Sequence, residues 1–243
     1  MTTSTKSIIT GIIIGVSLII STIIASVVFY STRSEGALSV TGSARQSVVA
    51  DQVKWTGNWS RVVSVKNLKD GYAIMEKDEK AVRDFLISKN INSAEITVKP
   101  VFMDQIYNYG DKNPSSTERE YNLNQSVQIT SNDVEKITDL AKSTKAIVDK
   151  GVIFSSYNPE YTFTKLADLR VSLLGNAIKD AMARANMIAN AGGKKVNTLT
   201  SAASGVVQVL PEGSVDVSDY GTYDTSSQKK EVMVTVKASF TLK

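Results

Sequence analysis

The run from Ile8 to Tyr30 carries no charged side chain, whereas everything after Arg33 mixes charged and apolar residues as a water-soluble chain does. At ~1.5 Å per residue a helix over that run is about 34 Å long, enough to cross a hydrocarbon core of about 30 Å. The segment therefore reads as a membrane span. A cleaved secretory signal is the competing reading, but its apolar region is normally about 7–15 residues and ends in small residues. Ile23 before Ala25 and Phe29 before Ser31 make poor cut positions, and only Ser34 and Gly36 have the small-x-small pattern. A retained anchor is the reading preferred here. Lys6 and the α-amine precede the span and Arg33 is soon balanced by Glu35. That bias leaves a cytoplasmic tail at 1–7, an anchor at 8–30, a linker at 31–37 and an extracytoplasmic domain at 38–243.

The chain holds no cysteine and no histidine. Disulfides, thiol nucleophiles, Ser-His-Asp and Cys-His arrangements and the commonest transition-metal ligands are therefore excluded. Only carboxylate, Ser-Lys or tyrosine chemistry remains open. A net charge of +4, made of 28 basic and 24 acidic residues that alternate along the chain, forms no run suited to phosphate backbones. Nucleic acid is not expected as a partner.

Period-two alternation marks the closing strand. Val232, Val234, Val236, Ala238, Phe240 and Leu242 share one face, with Glu231, Thr235, Lys237, Ser239 and Thr241 on the other. Residues 120–131 repeat the design, with Tyr121, Leu123, Val127 and Ile129 set against Asn122, Asn124, Ser126, Gln128 and Thr130. Such alternation indicates antiparallel sheet with one wet face. Further strands are expected at 38–49, 52–64, 94–103, 152–164 and 196–209.

Three helices lie between the strands. The first, 67–89, carries Leu68, Tyr72, Met75, Val82 and Leu86 at helical spacing, widened by Ala81 and Phe85. The second, 132–149, opens on Asn132 with Glu135 as a capping pair and buries Val134, Ile137, Leu140, Ala141 and Val148. The third, 165–191, closes at Gly192-Gly193, which suits a left-handed cap. The expected fold is α+β: two fused halves of mostly antiparallel sheet packed with helices. Sub-halves 38–131 and 152–243, each a strand-helix-strand-strand pseudo-repeat, are joined by the helix 132–149.

Ala177, Ala181, Ala185 and Ala189 recur every four residues on the third helix, a methyl strip that permits close packing. Asp180 and Arg184, also four apart, read as an exposed ion pair worth a few tenths of a kcal/mol. The segment Ala177-Ile178-Lys179-Asp180-Ala181-Met182-Ala183-Arg184-Ala185-Asn186-Met187-Ile188-Ala189, followed by Gly192-Gly193-Lys194-Lys195-Val196, resembles the helix-to-strand signature of SIMPL-domain proteins of the bacterial cell envelope. Leu38-Ser39-Val40-Thr41-Gly42-Ser43-Ala44 with Ala50-Asp51-Gln52-Val53 resembles that family's opening strand pair, and Val232 to Leu242 its closing strand. Where the family usually has a proline before the aspartate, this chain has Ala50, and its loop at 211–228 looks private. The resemblance spans nearly all of 38–243. It implies an extracytoplasmic α/β domain, secreted or anchored, that tends to assemble and serves the envelope or stress tolerance, and it implies no catalytic residue set.

Asp216, Asp219 and Asp224 in one loop and Glu118 and Glu120 near another are carboxylates without a spacing that enforces a glycosidase gap. Neither they nor any glycine-rich loop supply a metal or cofactor motif. Trp55 and Trp59 share one strand face, either core beneath the first helix or an exposed aromatic platform. Tyr107, Tyr109, Tyr220 and Tyr223 sit in two loops rich in Gly, Asn, Asp and Ser, a mixture that supplies contact surface with adaptable hydrogen bonding. These six aromatics are the candidate contact residues. The leading expectation is a non-enzymatic, single-pass membrane protein whose domain self-associates or docks to envelope partners. The alternatives are a module reading cell-wall glycan or peptide through the tyrosine loops and, third, a carboxylate-dependent hydrolase.

Overall fold

The computed structural model of the chain describes residues 3–32, 37–107 and 119–243. Helix α1 (Thr3–Thr32) contains the apolar segment Gly11–Tyr30, of which no residue is buried. It is long and apolar enough to cross a membrane.

The rest is α+β, with two sheets of mostly antiparallel strands. Strand β1 (Leu38–Val49) and strand β2 (Gln52–Ser64) are followed by a 3₁₀ turn at Val65–Asn67 and helix α2 (Leu68–Ser88). A second 3₁₀ turn at Ser93–Glu95 leads to β3 (Ile96–Val98), β4 (Phe102–Ile106) and β5 (Glu120–Ser131). Helices α3 (Val134–Lys142) and α4 (Lys145–Val148) precede β6 (Phe154–Ser156), β7 (Glu160–Thr162) and α5 (Leu166–Ala191). The chain closes with β8 (Val196–Ser204), β9 (Gln208–Pro211), β10 (Thr222–Tyr223) and β11 (Lys229–Leu242).

Residues 38–131 run strand, strand, helix, strand, strand, strand and residues 152–243 run strand, strand, helix and four strands, and the sheets are not assembled from contiguous halves. One sheet has β2 and β5 at its centre, paired antiparallel from Val53↔Ser131 to Ser64↔Glu120. There β3 and β4 flank β5, and β6 and β7 flank β2. In the other sheet β1 lies on one side of β11, while β9 and β8 pair antiparallel with its two ends. By compactness the chain divides into Met1–Ala44, Leu174–Gly205 and Thr235–Lys243 as one unit, and Arg45–Leu173 and Val206–Val234 as another.

Several expected elements are interrupted. The strand expected at 94–103 begins with the 3₁₀ turn and is cut at Lys99–Val101, where Pro100 has no donor; 152–164 is cut around Pro159. The strand 196–209 is interrupted at 205–207, just after the Gly205 N–H makes a last ladder bond to the Thr235 carbonyl. The helix 132–149 splits at Ser143–Thr144, and its cap is Asp133, whose Oδ1 accepts from the Lys136 N–H, not Asn132. The split rotates the second piece, so Ile147 is buried and Val148 is half exposed.

The larger unit is built on a core of Trp55, Trp59, Leu123, Val127 and Ile129 from the sheet against Met75, Val82, Phe85 and Leu86 of α2. Tyr72, expected on the buried stripe, is exposed, and Gly71 takes the contact. An added Cβ at Gly71 would lie 2.8 Å from Val63 Cγ1 and 3.0 Å from Leu123 Cδ1, so only a residue without a side chain fits. In the smaller unit the alanine strip is fully used, because Ala177, Ala181, Ala185 and Ala189 are all buried. Ala181 and Ala185 pack on Val40, Ala238 and Phe240. The β1 backbone comes so close at Gly42 that an added Cβ would overlap Ala177 O and Ala181 N. The adjacent Ser43 N–H donates to Asp180 Oδ2 at 2.8 Å, and Arg184 Nε donates to the same oxygen at 2.8 Å. That Ser43 hydrogen bond holds the Asp180 carboxyl below its ordinary value, burial opposes it, and Arg184 helps.

Two glycine substitutions test this packing by chemical denaturation. Gly42→Ala is expected to destabilise by about 1–3 kcal/mol, because helix backbone rather than a flexible side chain must move. Gly175→Ala, on an exposed face of α5 with nothing near the added methyl, is expected to leave stability unchanged or raise it by up to about 1 kcal/mol.

Candidate functional site

Of the six candidate aromatics, Trp55 and Trp59 leave the contact list. Both are fully buried, so the face they share is core and not an exposed platform. They pack in the core with Met75, Val82, Phe85 and Leu86 of α2, and β6, paired with β2 beside them, adds the Phe154 ring, tilted against Trp55 with centroids 6.1 Å apart and stacked on Trp59 at 6.4 Å. Gly57 between them gives Phe154 its room, since an added Cβ there would overlap the ring. Trp55 Nε1 donates to Ser156 Oγ at 3.0 Å, and that hydroxyl donates to the Ala141 carbonyl.

The tyrosines fare differently. Tyr107 follows β4 and is exposed, Tyr109 lies outside the described residues, and Tyr220 is 97% exposed. Tyr223 is partly exposed, and its hydroxyl accepts from the Phe163 N–H at 3.1 Å. Tyr220 and Tyr223 belong to the connection between β9 and β11, which presents three exposed apolar side chains, Val215, Val217 and Tyr220, among Glu212, Asp216 and Asp219.

That connection is fixed at both ends by buried polar groups. Gln208, buried at the start of β9, donates through Nε2 to the Ser218 carbonyl at 2.5 Å and accepts from the Ser218 N–H at 3.5 Å. Lys230, at the start of β11, is fully buried and donates to the Asp224 carbonyl at 2.5 Å and to Asp224 Oδ2 at 3.2 Å. Asp224 also accepts from the Ser226 and Ser227 hydroxyls and from both of their N–H groups. Burial alone would push this carboxyl up. The donors from Ser226, Ser227 and Lys230 outweigh it and hold the group well below the usual carboxylate range. A cleft of about 380 Å³, lined in part by Leu210, Asp216, Val217 and Thr222, opens beside the loop.

A second polar clamp sits between β2 and α2. Arg61 Nε donates to Asp78 Oδ2 at 2.7 Å, and Arg61 Nη2 donates to Asp78 Oδ1 at 3.0 Å and to the Gly151 carbonyl at 2.6 Å. Hydrogen bonding to Asp78 raises the Arg61 pKa above its ordinary value, with burial opposing. Neither clamp was singled out by sequence, although both had a signal. Lys230 has the same strand parity as the buried Val232 and Val234, and Asp78 falls three residues after the buried Met75.

Of the loop carboxylates, Asp224 is thus committed to Lys230 and two serines, and Glu118 lies outside the described residues. Among the described residues no group of three or more acidic side chains is placed to hold a metal ion. What the loop offers chemically is a rigidly footed, aromatic and acidic contact surface.

The SIMPL family, described as a protein of unknown function (DUF541), matches residues 38–240. No curated protein matches the chain.

The Lys230–Asp224 pair makes two predictions for chemical and thermal unfolding. Asp224→Asn leaves a buried ammonium without its counter-charge and is expected to cost about 3–5 kcal/mol, most of which Lys230→Met in the same chain restores. In the parent, the folded-state pKa of Asp224 lies below the ordinary value of 3.8, so its contribution is fully present above pH 3.8 and is lost as pH falls through the lower folded value. The melting temperature should drop with pH in that window, and less steeply in the double variant.

Proposed function

The chain belongs to the SIMPL family, and on that premise we propose that it is a non-enzymatic, membrane-anchored protein of the cell envelope whose extracytoplasmic domain self-associates or docks to envelope proteins. The observation that carries this reading is the apolar segment Gly11–Tyr30, none of it buried, in the same chain as the family domain. Such a helix held in a bilayer confines every copy to one plane with one orientation. Confinement raises the effective concentration, so interfaces too weak to hold free domains together become sufficient. The domain faces away from the cytoplasm in this reading, since Lys6 precedes the span. A role in envelope stress tolerance follows from the same family reading.

A short-span lysine-reactive cross-linker applied to membranes containing the full chain tests the reading. The expected result is discrete dimers or higher species at low expression; a chain that stays monomeric and joins no other envelope protein contradicts it.

A second reading has its own observation. Tyr220 stands almost fully exposed on a loop whose feet are fixed by Gln208 and Asp224, beside the cleft lined by Asp216 and Thr222. An aromatic face flanked by acceptors is the chemistry that takes up a sugar ring or peptide of the cell wall. Tyr220→Ala should then weaken co-sedimentation with purified wall material about ten-fold without lowering the melting temperature. Unchanged sedimentation excludes Tyr220 from that role.

A further inference from the structure

Basic charge is concentrated in the smaller unit. Its segments 37–44, 174–205 and 235–243 carry six basic side chains, Lys179, Arg184, Lys194, Lys195, Lys237 and Lys243, against one acidic side chain, Asp180, which is already bonded to Arg184. The whole chain carries only +4, so the rest of it holds no basic excess. Within this unit β1 and α5 run in opposite directions. Gly42 lies against Ala177 and Ala181, whereas Ser39 and Thr41 share a cleft with Arg184, Met187 and Ile188. The last turns of α5 therefore lie where the chain enters β1 from the linker. Leu38 and Val196 pack on one core there. Met187 and Ile188, one turn beyond Arg184 on the same helix face, are both more than half exposed. Lys194 and Lys195 follow directly after the helix, are exposed, and have no ion-pair partner among the described residues. No acidic residue occurs from 181 to 205.

We propose that this end of the smaller unit rests on the bilayer that holds the anchor, with Lys194 and Lys195 against the phosphates of anionic phospholipid headgroups and Met187 and Ile188 turned into the interface beside them. The proposal rests on the membrane-anchored reading and goes beyond it. The linker decides the occupant. Five Cα steps separate Thr32, the last residue of α1, from Ala37, so the entry to β1 lies at most about 18 Å from the end of that helix. A headgroup layer about 5–7 Å deep takes up part of this span. The end of the unit that carries the unpaired lysines is thus the end held next to a phosphate-bearing surface. Cationic side chains within about 8–10 Å of such a surface are drawn to it, and exposed apolar side chains beside lysines are the composition of an interfacial contact. Such a contact fixes the tilt of this unit on the membrane.

The absence of cysteine makes single labels possible. Met187→Cys and Asn176→Cys are each labelled with a fluorophore in the full chain; Asn176 is exposed on the same face of α5, about 16 Å farther from the linker end. The labelled chains are placed in phosphatidylcholine vesicles with and without phosphatidylglycerol, and a lipid carrying a spin label on its headgroup serves as quencher. Strong quenching at Met187 that rises with phosphatidylglycerol, and little at Asn176, is the expected result. Lys194→Glu with Lys195→Glu should weaken the Met187 quenching in anionic vesicles at least about three-fold, as should high salt, with the melting temperature unchanged. Quenching at Met187 no stronger than at Asn176, or undiminished in the double variant, overturns the contact. So does a Met187 signal that answers to an added anionic wall polymer and not to anionic lipid, which gives the lysines to that polymer. Flotation of the same vesicles separates this failure from that of the anchor. A chain that floats without quenching at Met187 loses only this contact, whereas one left behind loses the anchored reading and the contact with it.

Discussion

The constraint on which the proposed reading depends is an unburied helix rich in Ile, Val and Leu from Gly11 to Tyr30, long and apolar enough to cross a membrane. Each large aliphatic side chain moved out of water is worth about 1.5–3 kcal/mol, so the segment as a whole favours a bilayer by tens of kcal/mol. Its backbone groups are satisfied within the helix, which is what a hydrocarbon surrounding requires. On the proposed reading, a domain held by such a helix is restricted to two dimensions, and weak contacts gain from that restriction.

Within the domain, close approach of backbone to backbone does what large side chains do elsewhere. The α5 alanine strip and Gly42 let β1 lie against the helix, and the Asp180 carboxylate joins both by accepting from Ser43 and Arg184. In the larger unit the same economy appears at Gly57 and Gly71, where missing side chains admit Phe154 and the Val63 and Leu123 methyls. Buried charge is confined to the places where loops need fixing. Arg61 holds Asp78 and the Gly151 carbonyl, and Lys230 holds Asp224.

Much of this was legible in the residues. Strands 38–49, 52–64 and 120–131 fall at the expected bounds because each is a clean alternation ended by a helix or turn signal. The alanine strip and the anchor were legible for the same reason, a period that only one structure satisfies. What escaped was local chemistry competing with the period. Pro100 and Pro159 cut strands that the apolar pattern continued through, and Asp133 outcompeted Asn132 for the helix cap. Sheet membership escaped because strand order along the chain does not fix which strands pair; β1 beside β11 is a long-range choice made by packing on α5. For the contact residues, strand parity identified the tryptophan face but left open whether anything covers it; the α2 side chains and Phe154 do. Lys230 has the buried parity, but a lysine is almost never fully buried unless paired, so parity alone does not place it inside.

The central claim is that the apolar leader stays on the chain and holds it in a membrane. The most direct measurement is the intact mass of the protein recovered from membranes washed at high pH and high salt. A mass near 26.3 kDa, with the Ile8–Tyr30 segment present and the protein resistant to both washes, is the predicted result. A shorter chain lacking that segment, recovered in the soluble fraction, would contradict it.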